Sequence, residues 1–259
     1  MKTPQLSVTA LSKAFGGVLA VDQVSFDLAP GKVNSIIGPN GAGKTTLLNM
    51  LTGVYAPSAG KVVFEGADVT GLAPHRLAAR GMARTFQNPQ IFFNMSALEN
   101  VMVGRHLRER AGWLAAMLRS RRLTEGERES REEAAELMQF VGLGEYLGAE
   151  ADAMPYGALK RLEIARALGG RPKLLLLDEP AAGLNLTETQ AINELIMRLA
   201  QSGVTVVLVE HNMRLVMGVS DHIVVLDYGR KLCEGTAEQV RNDPRVIEAY
   251  LGSAEPATC

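Results

Sequence analysis

The sequence predicts an α/β fold in which a mainly parallel sheet is covered by helices and interrupted by an inserted helical segment. Short apolar, β-branched runs alternate with longer segments of helical period, the pattern of a helix-covered parallel sheet. The run 174–177 is Leu at every position, as suits a strand buried on both faces. A glycine-rich turn, 38–43, links the strand-like residues 33–37 to a helical run that opens at Thr46.

Strands are predicted at residues 6–11, 33–37, 61–64, 82–86, 174–177, 204–209 and 222–226, with the sheet centre at 174–177. Residues 186–202 carry Ile192, Leu195, Ile196 and Leu199 at helical spacing and stop at Gly203, which predicts an amphipathic helix. Thr124 and Glu127 have the spacing of a capping box ahead of Ala134, Leu137, Met138 and Val141, so a second helix is expected to start at Thr124. Between Gly104 and Leu123 lies a basic stretch, with Arg105, Arg108, Arg110, Arg119, Arg121 and Arg122 around the apolar residues 113–118. Residues 90–155 are accordingly read as a helical subdomain inserted between two parts of the core, 1–89 and 156–252, with 253–259 a loose tail.

Composition narrows the class. With 27 basic and 28 acidic residues and a net charge of -1, the chain has no global basic field, so no nucleic-acid partner is expected. Its 47% hydrophobic content supports a packed core rather than disorder. Two cysteines, Cys233 and Cys259, are too few to frame a disulfide scaffold and fit a reducing compartment. The first residues hold no signal-peptide core, and the longest apolar runs fall short of the roughly 20 residues that cross a bilayer.

The chemistry concentrates in a few places. Gly38, Pro39, Asn40, Gly41, Ala42, Gly43, Lys44 and Thr45 fit G-x-x-x-x-G-K-[ST], followed by Thr46 at the start of a helix. Glycines let successive N–H groups turn inward toward phosphate oxygens, and the helix N-terminus adds partial positive charge. Lys44 is expected to reach the β- and γ-phosphates, and the Thr45 hydroxyl to ligate Mg²⁺. A phosphate-bound Mg²⁺ needs a further carboxylate, which Asp178 supplies at the end of the buried Leu run; Glu179 follows, placed to polarise an attacking water.

With these motifs in order the chain resembles the ATP-binding cassette of ABC transporters over about residues 6–252. The resemblance implies an ABC-type P-loop NTPase core, with an antiparallel β part beside the parallel sheet. It implies that Gln87, in Arg84-Thr85-Phe86-Gln87-Asn88, contacts Mg²⁺ and water, and that His211 contacts the γ-phosphate. Phe15 falls where the family stacks an aromatic ring on adenine. The signature, usually Leu-Ser-Gly-Gly-Gln, falls on Met154-Pro155-Tyr156-Gly157-Ala158 and keeps only Gly157. Through Pro155, Tyr156 and Gly157 it would face the nucleotide of a partner subunit. The D-loop, 181–185, ends in Asn185 where Asp is usual.

A Tyr-Gly signature, the residues 178–185 and the basic insertion are similar to the larger ATPase subunit of branched-chain amino acid importers. Relatives of that branch serve other amino acids, amides and urea. The resemblance implies ATP and Mg²⁺, a second ATPase subunit in a heterodimer, two permeases, an external solute-binding protein, and a peripheral place on the cytoplasmic face of the inner membrane. Gln90, Ile91, Phe92 and Phe93, with the arginines of 105–122, would meet a permease beside anionic lipid. The rival readings are a cassette for another solute or for lipid-linked export, a soluble ATPase acting on DNA or ribosomes, and a nucleotide-binding subunit that does not hydrolyse.

Overall fold

The computed structural model describes residues 3–106 and 121–251. Six strands, β3 (Val33–Ile37), β6 (Met82–Arg84), β7 (Leu174–Asp178), β8 (Thr205–Val209), β9 (His222–Asp227) and β10 (Arg230–Gly235), form one sheet of order β10-β9-β3-β8-β7-β6. Every neighbouring pair runs parallel except β9 and β10. A second, antiparallel sheet has the order β2-β1-β4-β5, from β1 (Leu6–Phe15), β2 (Val18–Leu28), β4 (Ala59–Phe64) and β5 (Ala67–Asp68). The α/β class and the two kinds of sheet are as expected.

Burial on both faces explains the Leu run physically. Leu175 and Leu177 of β7 enter one core with Val206 and Leu208 of β8, packed against α5 (Tyr156–Gly169) and α6 (Leu186–Gln201). Leu174 and Leu176 point the other way, into the core between the two sheets, with Val207, Val209 and Leu48 of α1 (Lys44–Leu51). The pleat sends alternate residues to opposite faces, so a strand with two apolar faces has no polar position left. A third, smaller cluster sits under β9, where Ile223 and Val225 meet Val216 of α7 (Met213–Val219), Val240 of α8 (Ala237–Arg241) and Val246 of α9 (Pro244–Leu251).

Strand β3 lies between β8 and β9, and the chain leaves its carboxyl end as the glycine-rich turn into α1. In open α/β sheets such a place opens the crevice for a ligand. The carboxyl ends of β6, β7 and β8 bring Gln87, Asp178 with Glu179, and His211 to the same edge.

Three sequence expectations need correction. The helix α4 (Arg121–Phe140) runs through Thr124 and Glu127, so Thr124 is not its N-cap. Arg121, Arg122 and Leu123 are good helix formers, and a capping pattern ends a helix only where the preceding chain leaves it. The strand expected at 82–86 stops at Arg84, since the chain turns away after the Thr85 N–H donates to the Leu176 carbonyl at 2.9 Å. Arg105, read as part of an exposed basic stretch, is 4% exposed; it donates to the Glu129 carbonyl at 2.9 Å and pairs with Glu133 at 3.1 Å. The basic residues Arg108, Arg110 and Arg119 and the apolar 113–118 lie outside the described residues, as do the side chains of Arg121 and Arg122. Among the described residues no helix is long and apolar enough to cross a membrane.

Candidate functional site

The site begins with Gly43. It is the N-cap of α1 at φ 94, a left-handed conformation, and a Cβ there would stand 2.6 Å from the Ala20 carbonyl oxygen. Glycine alone meets both demands. No side chain caps α1, so its first N–H groups face outward into a cavity of ≈ 480 Å³. Asn40, Gly41, Ala42, Gly43, Lys44, Thr45 and Thr46 line that cavity, together with Glu179 from the end of β7. Gly38 and Pro39 stand behind the lining and accept hydrogen bonds from the Lys44 ammonium at 2.7 and 2.9 Å. Burial lowers the pKa of Lys44, while the carboxylates of Glu179 and Asp178 act to raise it.

Glu179 is the meeting point. Its Oε2 accepts from Gln87 Nε2 at 2.9 Å and lies 3.7 Å from His211 Nδ1. Three residues from the ends of β6, β7 and β8, predicted separately from the sequence, therefore meet at one carboxylate on the rim of the cavity. Asp178 is 7% exposed, and its Oδ2 is paired with Arg84 at 2.8 Å.

Phe15 and the signature lie elsewhere. Phe15 closes β1 opposite Val18, which lines the cavity, while Phe15 itself packs edge-on against Tyr55 at 5.3 Å between ring centres with the Lys13 ammonium 5.1 Å from its own ring. Pro155 is the N-cap of α5, whose first turn carries Tyr156 and Gly157. These three do not line this cavity. Tyr156 and Gly157 pack on the D-loop and α6: Gly183 meets the Tyr156 ring, and Gly157 meets the Glu188 carboxylate. Asn185 is the N-cap of α6 in a reciprocal box with Glu188, each N–H donating to the other's side chain at 3.0 Å.

Sequence reasoning passed over Glu210. It is 1% exposed and accepts from the N–H groups of Ala181, at 3.0 Å, and of His211 and Asn212, at 3.2 and 3.3 Å. One buried carboxylate thus holds the D-loop against the loop that carries His211. A signal existed: a charged residue directly after the apolar run 206–209 has to find backbone donors if it is buried with it. Val18, Leu19 and Tyr228 also line the cavity and were not singled out.

A family model described as ABC transporter matches residues 21–182, from within β2 to past the carboxyl end of β7. The chain belongs to the ABC transporter family. A second model, described as branched-chain amino acid ATP-binding cassette transporter, matches residues 230–256. The cassette is 46% identical to the high-affinity branched-chain amino acid transport ATP-binding protein BraF of Pseudomonas aeruginosa, over 98% of this chain and 100% of the relative. It is 43% identical to LivG of Escherichia coli K12, of the same description, with the same coverage. A crystal structure of a nucleotide-free ATP-binding cassette from an ABC transporter superposes with a TM-score of 0.84 at 33% identity, over 96% of this chain and 99% of that one. Another, of the ADP conformation of such a cassette, gives 0.83 at 32%, over 97% and 100%. This ABC subunit binds ATP and hydrolyses it to power transport.

Proposed function

We propose that this ABC cassette powers the uptake of branched-chain or related amino acids, and that Glu179 is its hydrolytic carboxylate. The observation that carries the chemistry is the place of Glu179, on the P-loop cavity with Gln87 Nε2 2.9 Å from its Oε2. A carboxylate so placed accepts a proton from water beside the γ-phosphate, while Lys44 and the α1 N-terminus hold the phosphates. His211, 3.7 Å from the same oxygen, is assigned to the γ-phosphate. The solute class follows the transport for which BraF and LivG are named and the match at residues 230–256.

The donor set fits Mg²⁺. Thr45, Gln87 and Asp178 offer oxygens, the hard ligands that Mg²⁺ prefers, and such sites combine one or two protein carboxylates with substrate phosphates. Among the described residues no cluster of three His, Cys, Asp or Glu side chains could hold a metal without them. When bound, the ion neutralises charge on the β- and γ-phosphates. Phe15 is assigned to the adenine, and Pro155, Tyr156 and Gly157 to the nucleotide of a second ATPase subunit that closes head to tail on this one.

A groove of ≈ 540 Å³ lined by Phe86, Gln90, Ile91 and Phe92 supports a permease contact on the cytoplasmic face of the inner membrane. Phe92 is 43% and Phe93 53% exposed, and the Arg166 guanidinium lies 5.4 Å from the Phe92 ring centre. Two permeases and an external solute-binding protein complete the importer, and residues 90–155 are the subdomain that moves. The test is Glu179→Gln in the assembled complex: ATP binding is retained, turnover falls by about 10²-fold or more, and ATP-bound dimer accumulates. Unchanged turnover would remove Glu179 from the mechanism.

A further inference from the structure

Lys160 sits just past the first turn of α5 and is only 2% exposed. Its ammonium donates to the main-chain carbonyl of Gln87 and, at 3.1 Å, to that of Glu179. These are the two residues whose side chains meet at 2.9 Å on the P-loop cavity. On the same helix the Tyr156 ring centre is 5.7 Å from the ammonium, and Tyr156 in turn covers Gly183 of the D-loop. Burial lowers the pKa of Lys160, while Glu163, Glu210, Glu179 and Asp178 raise it, in that order. A charge in such a place is retained because carbonyl dipoles and nearby carboxylates replace its water.

Glu179 needs holding. Its backbone lies at φ 46, in the left-handed region that non-glycine residues adopt only when their surroundings enforce it. The Glu179 N–H donates to the Val209 carbonyl at 2.9 Å, and its own carbonyl accepts from Ala182 N–H at 3.1 Å and from Lys160. The first two bonds come from the sheet and the D-loop. Lys160 brings the helix of the signature to bear on this residue, and the same ammonium holds the Q-loop.

We infer that Lys160 is a positioning residue for hydrolysis: from the signature helix it ties the main chains of Gln87 and Glu179 together, so that the Glu179 carboxylate is aimed only while α5 is docked. This rests on the reading of Glu179 as the hydrolytic carboxylate. Lys160 does not reach the reacting atoms, so its loss should act on turnover and spare nucleotide binding.

The experiment compares Lys160→Met, Lys160→Arg and Glu179→Gln in the full-length chain assembled with its transporter partners, using Mg·ATP and recording kcat, KM and the thermal midpoint. For Lys160→Met, kcat falls about 10- to 100-fold with KM within about twofold of wild type, as for a misplaced catalytic group. Lys160→Arg, which can still donate to both carbonyls, recovers most of that loss. Wild-type turnover in Lys160→Met would overturn the proposal and leave Glu179 in its role, provided Glu179→Gln is inactive. Equal loss of kcat and of thermal midpoint in both lysine variants would also overturn it, since that is the mark of packing alone. Wild-type turnover in Glu179→Gln would overturn the underlying reading and the inference with it.

Discussion

Arg84 and Asp178 form a buried ion pair at 2.8 Å, with side chains 8% and 10% exposed, joining the last residue of β6 to the last of β7. The guanidinium also donates to Asn49 Oδ1 at 2.5 Å and Thr52 Oγ1 at 3.1 Å at the end of α1. One cation therefore sets the Asp178 carboxylate relative to the helix that follows the P-loop. Arg84→Met leaves Asp178 buried and unpaired, which costs about 3–5 kcal/mol. Chemical denaturation of the purified chain measures it, and a loss below about 1 kcal/mol would mean that water reaches the carboxylate after all.

Gly183 and Tyr156 are matched by shape. A Cβ on Gly183 would stand 3.2 Å from Tyr156 Cε1, and the glycine lies at φ +78. Gly183→Ala carries two penalties, the left-handed backbone and the ring contact, together about 1–3 kcal/mol. In a Tyr156→Ala background the ring contact is gone, so the second substitution costs less there. A double-mutant cycle with no coupling would show that the signature and the D-loop do not bear on each other.

Asn185 stands where the family usually has Asp, and its side chain accepts from the Glu188 N–H at 3.0 Å as the N-cap of α6. Asn185→Ala removes the cap at a cost of about 0.5–2 kcal/mol, whereas Asn185→Asp keeps it. Thermal melts of the two variants separate the outcomes. Equal melts would place the importance of this position outside the helix it begins.

Glu163 provides a pH test. It is 2% exposed, its Oε1 accepts from the N–H groups of Phe86 at 3.3 Å and Gln90 at 3.2 Å, and burial raises its pKa above 4.5 against those bonds and the cations of Arg166 and Lys160. A raised carboxylate contributes stability that is complete below its unfolded pKa and is lost as pH rises through the folded value. Glu163→Gln keeps an acceptor for both N–H groups and does not titrate. Wild type therefore gains stability relative to Glu163→Gln as pH falls from neutrality toward the carboxylate range; a constant difference across that range contradicts the assignment.

Much of the fold was legible because its signals are local. The strand 174–177, the helix 186–202 with its Gly203 stop, and the turn into α1 each declare themselves within a short window. Strand β2 did not. Its buried residues Val21, Val24, Phe26 and Leu28 fall out of register where Gln23 takes φ 50 and the ladder with β1 shifts, so no period of two runs along it. Strand β10 is led by Arg230 and Lys231 and is the edge of its sheet, paired there with β9 alone, so its sequence reads as surface. Arg105 looked like one more arginine in a basic run until α4 placed Glu129 and Glu133 beside it.

By itself the sequence determined which groups this cassette has for chemistry. Gly43, Lys44 and Thr45 stand in a motif whose spacing encodes its local geometry, Asp178 and Glu179 close a buried Leu run, and Gln87 and His211 are singled out by the resemblance to the family. Tertiary structure decided what those groups are tied to. Arg84 finds Asp178 across 94 residues, Lys160 finds Gln87 across 73, and Glu210 finds Ala181 across 29. Spacing along a chain fixes only neighbours within a turn or a strand. Distant partners are chosen when the sheet places β6, β7 and β8 side by side, and a buried charge must then take whichever donors or acceptors that packing presents.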